Sequence, residues 1–89
     1  MEWPKKYSKT GDDVREAALK EYKVEAITKT TLLPGQKKKA YHGGQLKTDY
    51  YVFIFESKAD DKINGSFCCG VHAASGWFDL TKIDISEIP

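Results

Sequence analysis

Residues 50–56 read YYVFIFE, and residues 67–72 read FCCGVH. Both faces of a strand built from the first stretch would be apolar, because successive side chains of a strand point to opposite faces. Such a strand belongs in the middle of a sheet, covered on both faces or covered on one and aromatic on the other. We therefore predict a central strand over 49–56 and an antiparallel return strand over 66–71.

The register of this hairpin has two solutions in the sequence. If Ser57 pairs with Ser66, Phe55 faces Cys68 and Phe53 faces Gly70, and an aromatic ring over a strand glycine is a favourable cross-strand pair. The Asn-Gly dipeptide at 64–65 is instead typical of the centre of a tight type I′ turn. The sequence does not choose between these two registers.

A C-terminal helix is predicted from Val71 or His72 to Leu80. Its apolar residues recur at helical spacing, and one side of the helix carries Ala73, Ala74, Trp77 and Phe78. Gly76 lies inside this helix and costs about 1 kcal/mol relative to alanine. The last residues, 83–88, alternate between apolar and polar and are either a short strand or a tail.

The N-terminal half predicts one helix and one further strand. A helix is expected from Asp12 to about Lys23, with Asp13 as the N-cap of a capping box completed by Glu16. Residues 24–33 then alternate and are rich in Val, Ile and Thr, which favours a strand. A helix that continues as far as Ile27 is the alternative.

The segments between and before these elements are predicted from proline, glycine and charge. Pro34 and Gly35 are typical of a type II turn, in which glycine takes the positive φ. The run at 37–41 is expected to return as an exposed edge strand, since lysines on an edge discourage pairing with another chain. Residues 42–45 form a loop. Residues 1–10 form an extended arm whose Trp3 packs onto the rest of the chain.

Composition places the chain among ordinary globular proteins. Its 89 residues suit a single domain over 1–89, and 40% hydrophobic with 30% charged residues is not the balance of a disordered chain. No apolar run reaches the ~18 residues of a membrane span. Two adjacent cysteines offer no disulfide framework, and no apolar segment follows the N-terminus as in a secretory signal. We expect a cytoplasmic α+β protein, with a small, mostly antiparallel sheet of three to five strands packed by an N-terminal and a C-terminal helix.

Charge is distributed unevenly although the net charge is only +1. Residues 1–45 hold ten Lys or Arg against six Asp or Glu, a net of +4, whereas residues 46–89 hold four lysines against seven acids, a net of −3. Such asymmetry is found in proteins with a basic face for an acidic partner, and also in plain solvated surfaces.

The candidate soft ligands are Cys69, His72 and His42. Adjacent cysteines of a strand point to opposite faces, so Cys68 and Cys69 are not expected to bind one metal together. Cys69 and His72 have a usable spacing and His42 supplies a third ligand, but the sequence shows no fourth. A thiol at the start of a helix beside a histidine also resembles a nucleophilic cysteine. The simpler interpretation is that both cysteines are small buried hydrophobic residues.

The basic run predicts a binding surface for a partner. Single-stranded nucleic-acid binders combine a basic groove with aromatic rings on which bases stack. The candidate partner-binding residues are Lys37, Lys38, Lys39, Tyr41, His42 and Tyr50, which Tyr51 would extend. Against this interpretation, the acidic second half and the low net charge are unlike a typical basic binding domain.

No catalytic motif is recognisable, and the chain holds more aromatic residues than a small core needs. We therefore predict a non-catalytic binding or regulatory module that recognises another protein and uses no cofactor. Nucleic-acid binding through the basic run is the first alternative, and a metal or thiol site at Cys69 and His72 is the second. A homodimer through a sheet edge or exposed rings is left open, and no membrane partner is expected.

Overall fold

The computed structural model describes residues 2–82 together with Ser86 and Ile88. Its elements are a 3₁₀ turn at Lys5–Tyr7, helix α1 at Asp12–Glu21, strands β1 at Tyr22–Thr31, β2 at Asp49–Ser57 and β3 at Asn64–Gly70, and helix α2 at Val71–Thr81. The strands form one antiparallel sheet in the order β1-β2-β3. The predicted α+β fold is confirmed, with three strands and a helix on each side of them in the sequence.

Helix α1 begins at Asp12 as predicted, but its N-cap and its C-terminal end differ from the prediction. Its N-cap is Gly11, at φ +115°, and the predicted N-cap Asp13 lies inside the first turn without a side-chain capping bond. The prediction of an Asp13 capping box is therefore wrong, although the acidic first turn still suits the helix dipole. The helix ends at Glu21 because Tyr22 is already extended (φ −128°, ψ 144°) and starts β1. The strand predicted at 24–33 is confirmed with its bounds shifted toward the N-terminus, and a bulge lies between Ala26 and Thr28.

The turn at Pro34 and Gly35 is confirmed. The amide of Gln36 donates to the carbonyl of Leu33 at 3.0 Å, and Gly35 takes φ +86°. The strand predicted at 37–41 is wrong: this run contributes only an isolated bridge between Lys39 and Gln45. Its backbone is held by its own short loop, in which Leu46 N donates to Lys38 O at 2.9 Å, and by Tyr41 N, which donates to Cys68 O at 2.8 Å.

Both predicted hairpin registers are wrong. Glu56 pairs with Asn64, Phe55 with Gly65 and Phe53 with Phe67. The turn closes earlier than expected, since Ser57 N donates to Ile63 O at 2.8 Å and β3 begins at Asn64. Side-chain acceptors inside the turn, the Ser57 hydroxyl for Ala59 N and the Asp60 carboxylate for Lys62 N, stabilise this shorter connection.

The core lies between one face of the sheet and the two helices, and we call this face of the sheet the inner face. As predicted, alternate β2 residues Tyr51, Phe53 and Phe55 are buried there, and Phe53 stacks on Phe67 with ring centroids 5.2 Å apart. The helices supply Ala18, Ala74, Trp77 and Phe78. The prediction for α2 is confirmed, with its C-terminus one residue later than Leu80.

Gly76 has a structural role that the sequence did not reveal. A Cβ atom at this position would lie 2.5 Å from Cζ of Arg15. The guanidinium of Arg15 therefore lies directly against α2, and it also donates to Asp12 at 2.8 Å within α1. The glycine lets a cation of the first helix pack on the second.

The N-terminal residues are not the extended arm predicted for 1–10. They contain the 3₁₀ turn at Lys5–Tyr7, which returns the chain so that Trp3 enters the core. Only 8% of Trp3 is exposed, and its ring centroid lies 4.6 Å from that of Phe67 and 4.9 Å from that of Phe55. The indole N–H donates to Tyr7 O at 3.0 Å, so the buried polar atom is satisfied. The expected packing of Trp3 is confirmed.

The alternative of strand or tail at 83–88 falls mostly on residues outside those described. Within that stretch, Ile88 packs against the core. Across residues 2–82, 86 and 88, no helix is long and apolar enough to span a bilayer.

Candidate binding surfaces

The predicted basic surface is divided by the fold. Lys37, Lys38 and Lys39 are exposed, as expected for a binding run. Tyr41, however, is turned into the core, where its ring lies 5.1 Å from Phe67 and 6.0 Å from Trp77. Its ring is therefore not available as a stacking platform for a base.

Two of the predicted residues do meet. The ammonium of Lys38 lies 5.5 Å from the ring centroid of Tyr50, within the range of a cation–π contact. Lys38 also lies beside Cys68, where burial raises the pKa of the thiol and the lysine partly opposes that rise. Tyr51, which would have extended the platform, is buried on the inner face.

The three candidate soft ligands are not brought together. Cys69 is fully buried on the inner face, and burial raises the pKa of its thiol to about 12, opposite to the direction expected of an activated cysteine. His42 and His72 line one cavity of about 370 Å³ beside the first turn of α2, and Cys69 does not line it. In the part of the chain that the structure describes, no three His, Cys, Asp or Glu side chains are grouped as metal ligands.

The cavity beside His42 lies between a basic loop, Asp49 and the start of α2. Residues 34–48 contain Lys37, Lys38, Lys39 and Lys47 and no acid. A second hollow of about 460 Å³ is lined by Lys37 and Lys47. His42 is held in place because its Nδ1 accepts a hydrogen bond from Gly44 N at 3.3 Å and its ring meets Tyr41 edge-on.

The opposite face of the sheet is the surface that the site prediction missed, apart from Tyr50. Directly paired residues of antiparallel strands point to the same side, so the register defines this outer face. Its residues are Tyr50, Val52, Ile54 and Glu56 of β2, Thr30, Thr28, Glu25 and Lys23 of β1, and Cys68, Ser66 and Asn64 of β3.

The outer face is open at its centre. Both helices and Trp3 pack on the inner face, and the loop residue Lys38 reaches over the outer face at Tyr50. Ile54 sits on the central strand and is nevertheless 40% exposed, while Ile27 in the β1 bulge is 43% exposed. The sequence signal for this surface was the run of apolar residues on both faces of residues 50–55.

The outer face has two unlike ends. At the level of Tyr50 it carries a ring with the Lys38 ammonium over it. At the level of Glu56 it carries a hollow of about 310 Å³ whose lining includes Lys23, Glu25, Ile54 and Glu56. One end therefore carries an ammonium group over an aromatic ring, and the other is a depression with two carboxylates and one lysine.

Comparison with known proteins gave no relative on which to base a function. No protein-family model matches the chain, and neither the curated proteins nor the solved structures contain a significant match.

Proposed function

We propose that this chain is a non-catalytic binding module that recognises a protein through the outer face of its sheet. The observation that carries the proposal is the exposure of Ile54 in the middle of the central strand, where it follows Val52 on the outer face and lines the hollow. The opposite face of this sheet is packed by helices, and the open face carries Val52 and Ile54 on its central strand as apolar side chains that a partner can cover.

The energetics favour a protein partner at this surface. Ile54 is 40% exposed, so covering the remainder of its side chain contributes about 0.6–1.2 kcal/mol, two fifths of the value for burying a fully exposed isoleucine. Tyr50 adds a large, rigid ring of the kind enriched in protein interfaces. Lys38 lies at one end of the face and Lys23 and Glu56 at the other, as in the polar rim of an interface, and Glu25 lies directly beside Ile54.

The test is affinity capture with a variant that changes only the outer face. Ile54→Lys places a charge at its centre, and Leu33→Lys makes the same kind of change at a 65% exposed aliphatic residue in a turn. We expect proteins retained by the wild type, further copies of this chain included, to be lost with Ile54→Lys and kept with Leu33→Lys. An identical set retained by all three would refute the proposal, once circular dichroism has shown that the variants fold.

Nucleic-acid binding is the second candidate, favoured by the acid-free loop 34–48 with its lysine-lined hollow. If three lysines contact phosphates, the logarithm of the affinity for a single-stranded oligonucleotide should fall with the logarithm of salt with a slope of about −2. Changing Lys37, Lys39 and Lys47 to Gln should abolish that binding, whereas Lys9→Gln should not. A salt-independent affinity, or one unaffected by the triple change, excludes this candidate.

The proposed compartment is the cytoplasm, where a reducing environment keeps Cys68 and Cys69 as the free thiols that they are in the structure.

A further inference from the structure

We propose that the protein covering the outer face is a second copy of this chain, which forms a symmetric, face-to-face dimer. This inference rests on the proposed function and names its partner. It is carried by the unlike ends of the outer face: the Lys38 ammonium over the Tyr50 ring at one end complements the hollow beside Glu56 at the other.

A two-fold axis brings these ends together. The axis lies between the two facing sheets and parallel to both of them, perpendicular to the strands and level with Phe53. The two β2 strands then run antiparallel, Val52 meets Ile54 of the second copy, and the level of Tyr50 meets the level of Glu56. Because an isologous interface repeats every contact, the Tyr50 ring and Lys38 of each copy face the hollow of the other.

The charges agree with this arrangement. Lys38 approaches Tyr50 from the β3 side, and the β2 residue at the other end of the face is Glu56. The two-fold operation therefore sets each Lys38 against Glu56 of the second copy. The end with the ammonium faces an end whose sum, from Lys23, Glu25 and Glu56, is −1. Opposite potentials across an interface favour association and select the register.

The size of the face sets the expected strength. Three strands about 4.8 Å apart and seven residues of about 3.3 Å rise give a footprint of roughly 300 Å² per copy. A stable interface buries about 800 Å² per partner, so this dimer is weak and transient. We expect a dissociation constant on the order of 100 µM.

The experiment is a charge exchange between two variants. In a homodimer of the Lys38→Glu variant, each of the two contacts between position 38 of one copy and position 56 of the other sets one carboxylate against another. In a homodimer of the Glu56→Lys variant, each of these contacts sets one ammonium group against another. An equimolar mixture restores opposite charges at both contacts of a heterodimer. Sedimentation velocity from 10 µM to 1 mM should show each variant dimerising at least about tenfold more weakly than the wild type, and the mixture recovering most of the loss.

Controls separate this inference from the function on which it rests. Lys9→Glu makes the same charge change on an exposed residue of the N-terminal segment and should dimerise as the wild type does. Wild-type protein that stays monomeric at 1 mM, or a mixture no better than its components, overturns the dimer. If the dimer is overturned in this way but the wild type retains a foreign protein that the Ile54→Lys variant does not, the proposed function stands with another partner.

Discussion

Removing the side chain of Trp3 should destabilise the fold as strongly as removing a central core residue. Trp3 precedes every helix and strand, yet it is 8% exposed and its ring contacts Phe55, Phe67 and Trp77. A buried tryptophan removes about 200 Å² from water, which at about 25 cal/mol per Å² amounts to about 5 kcal/mol. Residual burial in the unfolded chain reduces this figure by roughly 10–40%, to about 3–4.5 kcal/mol.

That loss is large for a chain of 89 residues, whose whole free energy of unfolding is expected to be roughly 4–13 kcal/mol. Trp3→Ala should therefore lower the midpoint of thermal unfolding by at least about 12 °C. Urea denaturation followed by far-ultraviolet circular dichroism measures the free energy without relying on the fluorescence of the residue that is removed.

Two matched variants locate the effect. Trp3→Phe keeps a ring but loses the indole N–H that donates to Tyr7 O, and should cost less than Trp3→Ala. Tyr7→Phe removes an exposed hydroxyl that donates to Glu21 and should change stability little. If Trp3→Ala lowers the free energy of unfolding by less than about 1 kcal/mol, the N-terminal segment is not part of the core and the reasoning fails.

Two further predictions concern the helices and the buried thiol. Gly76→Ala gains about 1 kcal/mol of helix propensity but displaces the Arg15 guanidinium, so it should leave the stability of the wild type almost unchanged. In an Arg15→Ala background, the same change should stabilise the fold by about 1 kcal/mol. Equal effects in the two backgrounds, measured by urea denaturation, would contradict the contact between Gly76 and Arg15. Burial holds the pKa of the Cys69 thiol at about 12 in the folded state, against about 9 for the free thiol. The contribution of the buried, protonated thiol to the free energy of unfolding is therefore complete below pH 9. Above pH 9 only the unfolded chain loses the Cys69 proton, and the free energy of unfolding should fall by up to about 1.4 kcal/mol per pH unit until pH 12. Cys69→Ala should flatten this alkaline slope. An unchanged slope would show that the thiol titrates alike in the folded and unfolded chains.

The sequence predicted well the elements whose pattern is local and long. Residues 50–55 are apolar throughout, and β2 is indeed the central strand. Trp77 and Phe78 recur at helical spacing, and α2 buries both of them. Gly35 follows a proline and takes the positive φ that a type II turn requires. Each of these features depends on neighbours within about one turn of chain.

The errors have a common origin in contacts between distant residues. The hairpin register follows from how the turn at 58–63 satisfies its own amides, and two plausible turn motifs in the sequence competed with it. The lysine run lacks a second strand because its backbone bonds are made to its own loop and to Cys68. Tyr41, predicted to face a partner, is instead drawn against Trp77 by the gain from burying its ring.

The candidate surfaces were only half visible in the sequence. Lys38 and Tyr50 were both named as partner-binding residues, but nothing in their spacing showed that they would meet. The hollow at Glu56 requires residues from β1, β2 and β3 at one level, which depends on the true register.

The amino-acid sequence by itself determined the fold class, the central strand, the two helices and one turn, because periodicity and turn chemistry act between residues close together in the chain. Only the tertiary structure decided which rings Trp3 contacts, that Gly76 admits Arg15, and that one face of the sheet stays open at Ile54. These outcomes depend on which distant surfaces exclude water from one another, a choice that is made by packing in three dimensions.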